Sequence, residues 1–225
     1  FRSAINTIAG DDILNAAEAG AALTITGSST AEAGQTVTVT LNGENYTGTV
    51  QTDGSWSVSV PPADLSALTA SNYTVSAAVS DKAGNPASVN HNLTVDTSVP
   101  DAPVFTPATD NAGPVLGPVA SGQSTDDTTP TLNGTAAANA TITIYENGQQ
   151  VGTAVADANG VWSFTTGTLA NGSHTWTATA TDAAGNVSPA SPGFTLVVDT
   201  TAPAAPVITQ AIDDVGTITG AIGSG

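Results

Sequence analysis

Cysteine and methionine are both absent from the 225 residues, and Lys and Arg together number only 2. Without cysteine there can be no disulfide and no thiolate metal site, so stability outside a cell would have to come from packing or bound ions. The 2 basic residues face 19 Asp and Glu, for a formal net charge of -17. Phosphate is bound by cationic side chains, so this balance disfavours a nucleic-acid partner and, for the same reason, an anionic membrane surface. No apolar run is long enough to span a bilayer, which argues against membrane insertion. No basic segment followed by an apolar stretch opens the sequence, so any secretion signal is expected elsewhere. Charged residues make up only 9%, and Thr, Ser, Asn, Gly and Ala are abundant. Alternating apolar positions and 3 Trp nonetheless indicate folded β structure rather than disorder.

What the sequence does contain is a repeat at an offset of about 100 residues. Asp81-Lys-Ala-Gly-Asn85 followed by Val95-Asp-Thr-Ser-Val-Pro100 returns as Asp182-Ala-Ala-Gly-Asn186 followed by Val198-Asp-Thr-Thr-Ala-Pro203. Ala31–Gly43 parallels Ala136–Gly148, and Asp53-Gly-Ser-Trp-Ser-Val58 parallels Asn159-Gly-Val-Trp-Ser-Phe164. Val207–Asp214 repeats the pattern of Ile5–Asp12, which implies a third copy and a piece of a longer protein. The expected units are 1–98, 99–202 and the start of a third at 203–225.

Thr36-Val-Thr-Val-Thr-Leu41 alternates strictly, with Val37, Val39 and Leu41 on one face, and reads as a half-buried strand. Further strands are expected at 22–26, 46–50, 55–60, 73–79 and 90–95, and in the second unit at 141–145, 151–155, 161–165, 174–180 and 193–198. An N-terminal strand at 5–8 or 103–106 brings each unit to about seven, the count of an immunoglobulin-like sandwich. Asn147-Gly148 and Asn159-Gly160 are expected hairpin turns, because both residues tolerate positive φ. In Pro62–Leu68, Asp64 is a candidate cap for one short turn. Trp56 and Trp162 hold equivalent positions and read as core aromatics. The fold class is therefore all-β, two tandem immunoglobulin-like sandwiches plus the first strand of a third.

The seams between units are Asp96–Pro103 and Asp199–Pro206, each with two prolines that hold the crossing extended. Acids recur around them. Two carboxylates about 4 Å apart repel by roughly 4 kcal/mol at an effective dielectric of 20, and a cation would remove that penalty. Oxygen ligands with neither His nor Cys nearby would select Ca²⁺ over Mg²⁺. The plainer reading is that Asp81 and Asp182 form Asx-turns with the Gly-Asn that follows and solvate exposed loops. Whether loop and strand end meet at one pole is left open by the sequence. The segment Gly113–Thr125, with no counterpart in the first unit, leads into Asp126-Asp127, which would join the same site or make a second one.

Several of these pieces together resemble the bacterial Ig-like repeats of giant type I-secreted, Bap-type and RTX adhesins: Val-Asp-Thr-Thr-Ala-Pro at 198–203, Asp-Ala-Ala-Gly-Asn at 182–186, Asp-Asp-Thr-Thr-Pro-Thr-Leu at 126–132 and Asn-Thr-Ile-Ala-Gly-Asp-Asp at 6–12. The resemblance implies an extracellular stalk on the bacterial surface, serving adhesion or biofilm formation, in which Ca²⁺ at the junctions stiffens the rod. It further implies ligands at Asp81, Asp96, Asp110 and Asp126 or Asp127 for the first seam, and at Asp182, Asp199, Asp213 and Asp214 for the second. Asp11, Asp12 and Glu18 would be half of a site shared with a preceding unit. Asn111 stands where the second acid of the pair would be. Millimolar Ca²⁺ on a site with a dissociation constant near 10 μM would favour an ordered seam by about 2.7 kcal/mol. The partners implied are neighbouring repeats of the same protein and, through other parts of it, a host or abiotic surface; the segment itself is expected to be a monomer.

Catalysis finds no support in the residues. His91 and His174 are the only conventional bases and align with aromatics of the other unit, as edge-of-core side chains would. No nucleophile-elbow, zinc-protease, phosphate-loop or dinucleotide motif is present, and Asp157-Ala-Asn-Gly160 lacks the later Glu of an EF-hand. The alternative to a stalk is a ligand-binding module, its threonine faces or the 113–125 loop meeting carbohydrate, ice or a host-surface receptor.

Overall fold

The computed structural model describes residues 2–114, 116–209, 211–213 and 220–222. In the first half, β1 (Ser3–Ile5), β3 (Leu23–Ser29) and β6 (Ser55–Val60) form one antiparallel sheet. The second sheet has the order β2-β8-β7-β4-β5, made of β2 (Ile13–Leu14), β4 (Thr36–Leu41), β5 (Glu44–Thr49), β7 (Ser71–Ser80) and β8 (Pro86–Val95). The second half repeats this plan. There β10-β9-β12-β15 comprise β9 (Val104–Asp110), β10 (Gly117–Val119), β12 (Thr131–Thr135) and β15 (Val161–Thr165). They face β11-β17-β16-β13-β14, made of β11 (Ser124–Thr125), β13 (Thr141–Glu146), β14 (Gln149–Val155), β16 (Gly172–Thr181) and β17 (Phe194–Val198). A further hairpin pairs β18 (Ala211–Asp213) with β19 (Gly220–Ile222).

Period-two alternation decides which face is buried. Along β4, Val37, Val39 and Leu41 are at most 2% exposed, and along β6 so are Trp56 and Val60. Each half closes over its own core, one holding Trp56, Leu14, Ile25 and Leu93, the other Trp162, Trp176, Ile142 and Leu196. The two equivalent tryptophans lie over glycines. A Cβ on Gly27 would stand 2.1 Å from Cζ2 of Trp56, and one on Gly134 would stand 2.4 Å from Cζ2 of Trp162. Each glycine is the direct cross-strand partner of its tryptophan within one sheet, and only a bare Cα lets the indole lie across the neighbouring strand.

Several elements depart from the sequence expectations. In both halves the opening strand switches sheets: β1 pairs with β3, whereas β2 runs parallel to β8, and β11 likewise runs parallel to β17. Strand β12, absent from the expected series, is central to its sheet; Asn133 and Gly134 interrupt its apolar alternation. Asn147-Gly148 is the expected turn, with φ of 49° and 81°, but at Asn159-Gly160 only the glycine has positive φ. That loop is instead organised by Asp157, whose Oδ1 accepts the backbone N–H groups of Asn159 and Val161. Helix α2 (Pro62–Ser66) starts after Pro61 with no side-chain cap, and Asp64 accepts a 2.8 Å hydrogen bond from the Tyr46 hydroxyl. The short α1 (Ala16–Ala19) is closed by a capping box in which the Asn15 side chain accepts from Glu18 N and the Glu18 carboxylate accepts from Asn15 N. Glu18 is thereby committed to its own turn.

Candidate functional site: the joint and the acidic pole

The direction of each strand settles which acids can meet. Asp81 precedes β8 and Asp96 follows it, so they stand at opposite ends of a 10-residue strand, about 30 Å apart at roughly 3.3 Å per residue. Asp182 follows the 10-residue β16, whose first residue Gly172 pairs with Val198 next to Asp199, so these two acids also stand at opposite ends of a strand. Loop and strand end therefore do not share a pole within one unit. The pairing falls between units: the Asp182–Asn186 loop of the second sandwich meets the Asp96 end of the first.

Asn186 makes that meeting. Its Oδ1 accepts the Ala16 backbone N–H at 2.8 Å, and its Nδ2 donates to the Asp96 carbonyl oxygen at 2.9 Å. The same Nδ2 donates to Asp182 Oδ2 at 3.0 Å, while Asp182 Oδ1 accepts the N–H groups of Ala184 and Asn186. Gly185, at φ 85°, provides the left-handed turn that returns the backbone. Asn186 is 3% exposed, so its amide is buried and fully partnered. Asp96 itself accepts from Ser98 N and starts the proline-rich crossing. By sequence alone Asn186 is only the partner of its own Asx-turn; its recurrence in both copies of the motif is the signal that it does more.

The far pole of the second sandwich gathers the other acids. Asp110, Asp126 and Asp199 line one open cavity of about 640 Å³ with Thr125. Asp110 is 6% exposed, its Oδ2 accepting from the Thr125 hydroxyl at 2.7 Å and its Oδ1 from Ala112 N. Asp127, at 1% exposure, accepts from Asn111 N, Thr129 N and the Thr129 hydroxyl. Those bonds offset the desolvation of a buried carboxylate. Gly113 makes room for Asp126: a Cβ there would lie 1.9 Å from Asp126 Oδ2. Asp110, Asp126 and Asp127 thus sit with Asp199, not at the first seam.

The remaining acids are elsewhere. Asp81 accepts from Asn85 N and Nδ2, both at 2.8 Å, and these bonds, the Asn85 amide foremost, hold its carboxyl below the usual range. Asp11 and Asp12 lie beside β8 on the flank of the first sandwich, lining a shallow cavity with His91. Asp12 Oδ1 accepts the Ile8 N–H at 2.8 Å and contacts His91 Nε2 at 2.7 Å; these two contacts, Ile8 first, lower its pKa. Because β2 runs parallel to β8, both acids approach the Asp96 end rather than a preceding unit. Asp213 ends β18, and Asp214 lies outside the described residues. Among the described residues no three His, Cys, Asp or Glu side chains stand close enough to hold a metal ion. The acids among the described residues do not make a complete ion site by themselves.

Two stretches of the sequence, residues 8–97 and 108–200, match the bacterial Ig-like domain model. The protein belongs to this family. Its solved neighbours include an adhesin described as Ca²⁺-stabilized that helps an Antarctic bacterium reach out and bind ice, 30% identical, with a TM-score of 0.51 over 94% of this protein and 51% of that one. The 225 residues therefore span about half the length of that structure. A single bacterial immunoglobulin-like domain from the M. primoryensis ice-binding adhesin is 38% identical over 42% of this protein and 95% of its own length, with a TM-score of 0.34. The fibronectin(III)-like modules of Clostridium thermocellum CbhA share the fold at 12% identity and a TM-score of 0.53, over 88% of this protein and 94% of theirs. No curated protein matches the sequence. These two bacterial Ig-like domains are an adhesin-related module. Among the described residues no helix is long and apolar enough to cross a membrane.

Proposed function

We propose that this protein is a non-catalytic stalk segment of a larger extracellular bacterial adhesin, its domains 1–98 and 99–202 set in line and followed by a third at 203–225. The observation that carries this reading is the joint itself: the Asp182–Asn186 loop seated on the Asp96 pole by two hydrogen bonds made by the buried Asn186 side chain. Such a segment serves adhesion or biofilm formation by holding a ligand-binding region, elsewhere in the protein, away from the cell. Its partners are the repeats on either side, and it is a monomer.

Ca²⁺ belongs in the same proposal, at the pole lined by Asp110, Asp126 and Asp199. Oxygen donors without imidazole or thiolate suit this ion, and a relative at 30% identity is Ca²⁺-stabilized. When bound, the ion would neutralise these carboxylates. The remaining oxygens would have to come from a following repeat, so the pole in this segment alone should bind weakly. Calorimetric titration of Ca²⁺ into the chelator-treated protein tests the ion: the absence of heat at millimolar Ca²⁺, or heat unchanged by Asp110→Asn and Asp199→Asn, refutes it. Solution scattering tests the stalk. A particle whose maximum dimension is that of two sandwiches in line is expected, and a broad ensemble of folded-back shapes refutes it.

A further inference from the structure

The same loop occurs twice in this molecule, once seated and once free. In the second sandwich, Ala184 and Asn186 are 8% and 3% exposed; in the first, their counterparts Ala83 and Asn85 are exposed. The internal geometry is otherwise shared. Asn85 N and Nδ2 donate to the two Asp81 oxygens as Asn186 N and Nδ2 do to Asp182. Asp81 N and Asp182 N each donate to the carbonyl of their asparagine at 3.1 Å, and Gly84 and Gly185 have φ of 88° and 85°. The loop is built before anything docks on it, so docking costs little further ordering.

We propose that Asn186 is the latch that orients the second sandwich on the first, and that the Asp81–Asn85 loop is the surface on which a preceding repeat with the same kind of pole seats. The partner is specified by chemistry. It must offer one free backbone N–H, as Ala16 does, and one free backbone carbonyl oxygen, as Asp96 does, spaced for the two ends of a primary amide. The far pole of the second sandwich does not qualify. By register, Asp199 N donates to Thr125 O as Asp96 N does to Leu14 O, which makes Asp127 the counterpart of Ala16. The Asp127 N–H is already taken by the Thr125 hydroxyl at 3.1 Å. The two poles are therefore different sockets, one for an amide and one lined with acids. The latch does not depend on Ca²⁺; the docking of a preceding unit rests on the repeat reading above.

The absence of native cysteine allows spin labels at Ser57→Cys and Ser163→Cys, both on outward-facing strand positions, and distance measurement by pulsed electron resonance. The otherwise unaltered protein should give one narrow distance in chelator and in millimolar Ca²⁺. Asn186→Ala should lose it in both media. Asn85→Ala, which removes the same bonds inside its own loop, should leave it intact, and both variants should keep the melting of each sandwich. A narrow distance in Asn186→Ala overturns the latch. So does a distance that is broad in chelator and narrow in Ca²⁺ without substitution, which leaves the calcium stalk standing. An Asn186 effect in a protein that binds no Ca²⁺ supports the latch while removing the calcium reading. For the docking surface, residues 1–102 are duplicated ahead of Ser3 and the two Ser57 positions labelled. Asn85→Ala should now broaden the added joint, and no change overturns that half of the proposal.

Discussion

Replacing Gly134 by alanine should destabilise the second sandwich sharply. Gly134 lies mid-strand, in register with Phe105 of β9 on one side and Trp162 of β15 on the other. A Cβ would meet Cζ2 and Cε2 of Trp162 at 2.4 and 2.5 Å and the Val104 carbonyl oxygen at 2.5 Å. Neither neighbour yields easily, because Trp162 is 2% exposed and Val104 belongs to the β9–β12 ladder. Overpacking a core costs typically 1–3 kcal/mol, and a clash with both a rigid ring and the backbone should reach the top of that range, about 3 kcal/mol. For a unit of about 100 residues this lowers Tm by roughly 12–24 °C. Scanning calorimetry should show the transition of the first sandwich unmoved. Adding Trp162→Phe to Gly134→Ala should recover part of the loss, since it removes the clashing ring edge and a buried indole N–H that has no hydrogen-bond partner among the described residues. A drop in Tm below about 4 °C would refute the account of the tryptophan seat.

Three further outcomes are expected. His174 Nδ1 and Nε2 face two acceptors, Glu146 Oε1 at 2.6 Å and the Ala170 carbonyl at 2.9 Å. Burial opposes protonation, but Glu146 and Ala170 outweigh it and the pKa is raised. The stabilisation is thus complete below the ordinary histidine value of about 6.5 and is lost as pH rises through the higher folded value. Melting of the second sandwich should decline with pH across that window, and a profile unchanged by His174→Gln would contradict the assignment. Asn15→Ala should cost about 1 kcal/mol through loss of the α1 cap, read as a lower denaturation midpoint of the first sandwich, and should also broaden the joint distance by disordering Ala16. Gly113→Ala should strain a residue at φ 71° by about 1–2 kcal/mol and displace Asp126, weakening any calorimetric Ca²⁺ signal while leaving the first sandwich untouched.

The sandwich cores were legible because alternation survives wherever a strand has one wet face: β4, β6 and β13 read directly from Val37-Thr-Val39, Trp56-Ser-Val58 and Ile142-Thr-Ile144. Strand β12 was not, because Gly134 occupies a core-facing position with no side chain to announce it. The parallel pairs of β2 and β11 are 2 residues each, too short for any period to show. The acids were legible as a recurring set but not in their grouping. Whether Asp182 meets Asp199 or Asp96 depends on which end of a strand a loop emerges from. That is a property of topology, carried by no local pattern.

Asn186 hydrogen-bonds to the first sandwich through backbone groups, the Ala16 N–H and the Asp96 carbonyl. The peptide backbone is the part of a repeat that mutation alters least. A joint read through it constrains the Asn15 cap and the Asp182 turn that hold those groups in place, but leaves the other surrounding side chains free to diverge, so successive repeats can differ in sequence and still meet through the same kind of contact.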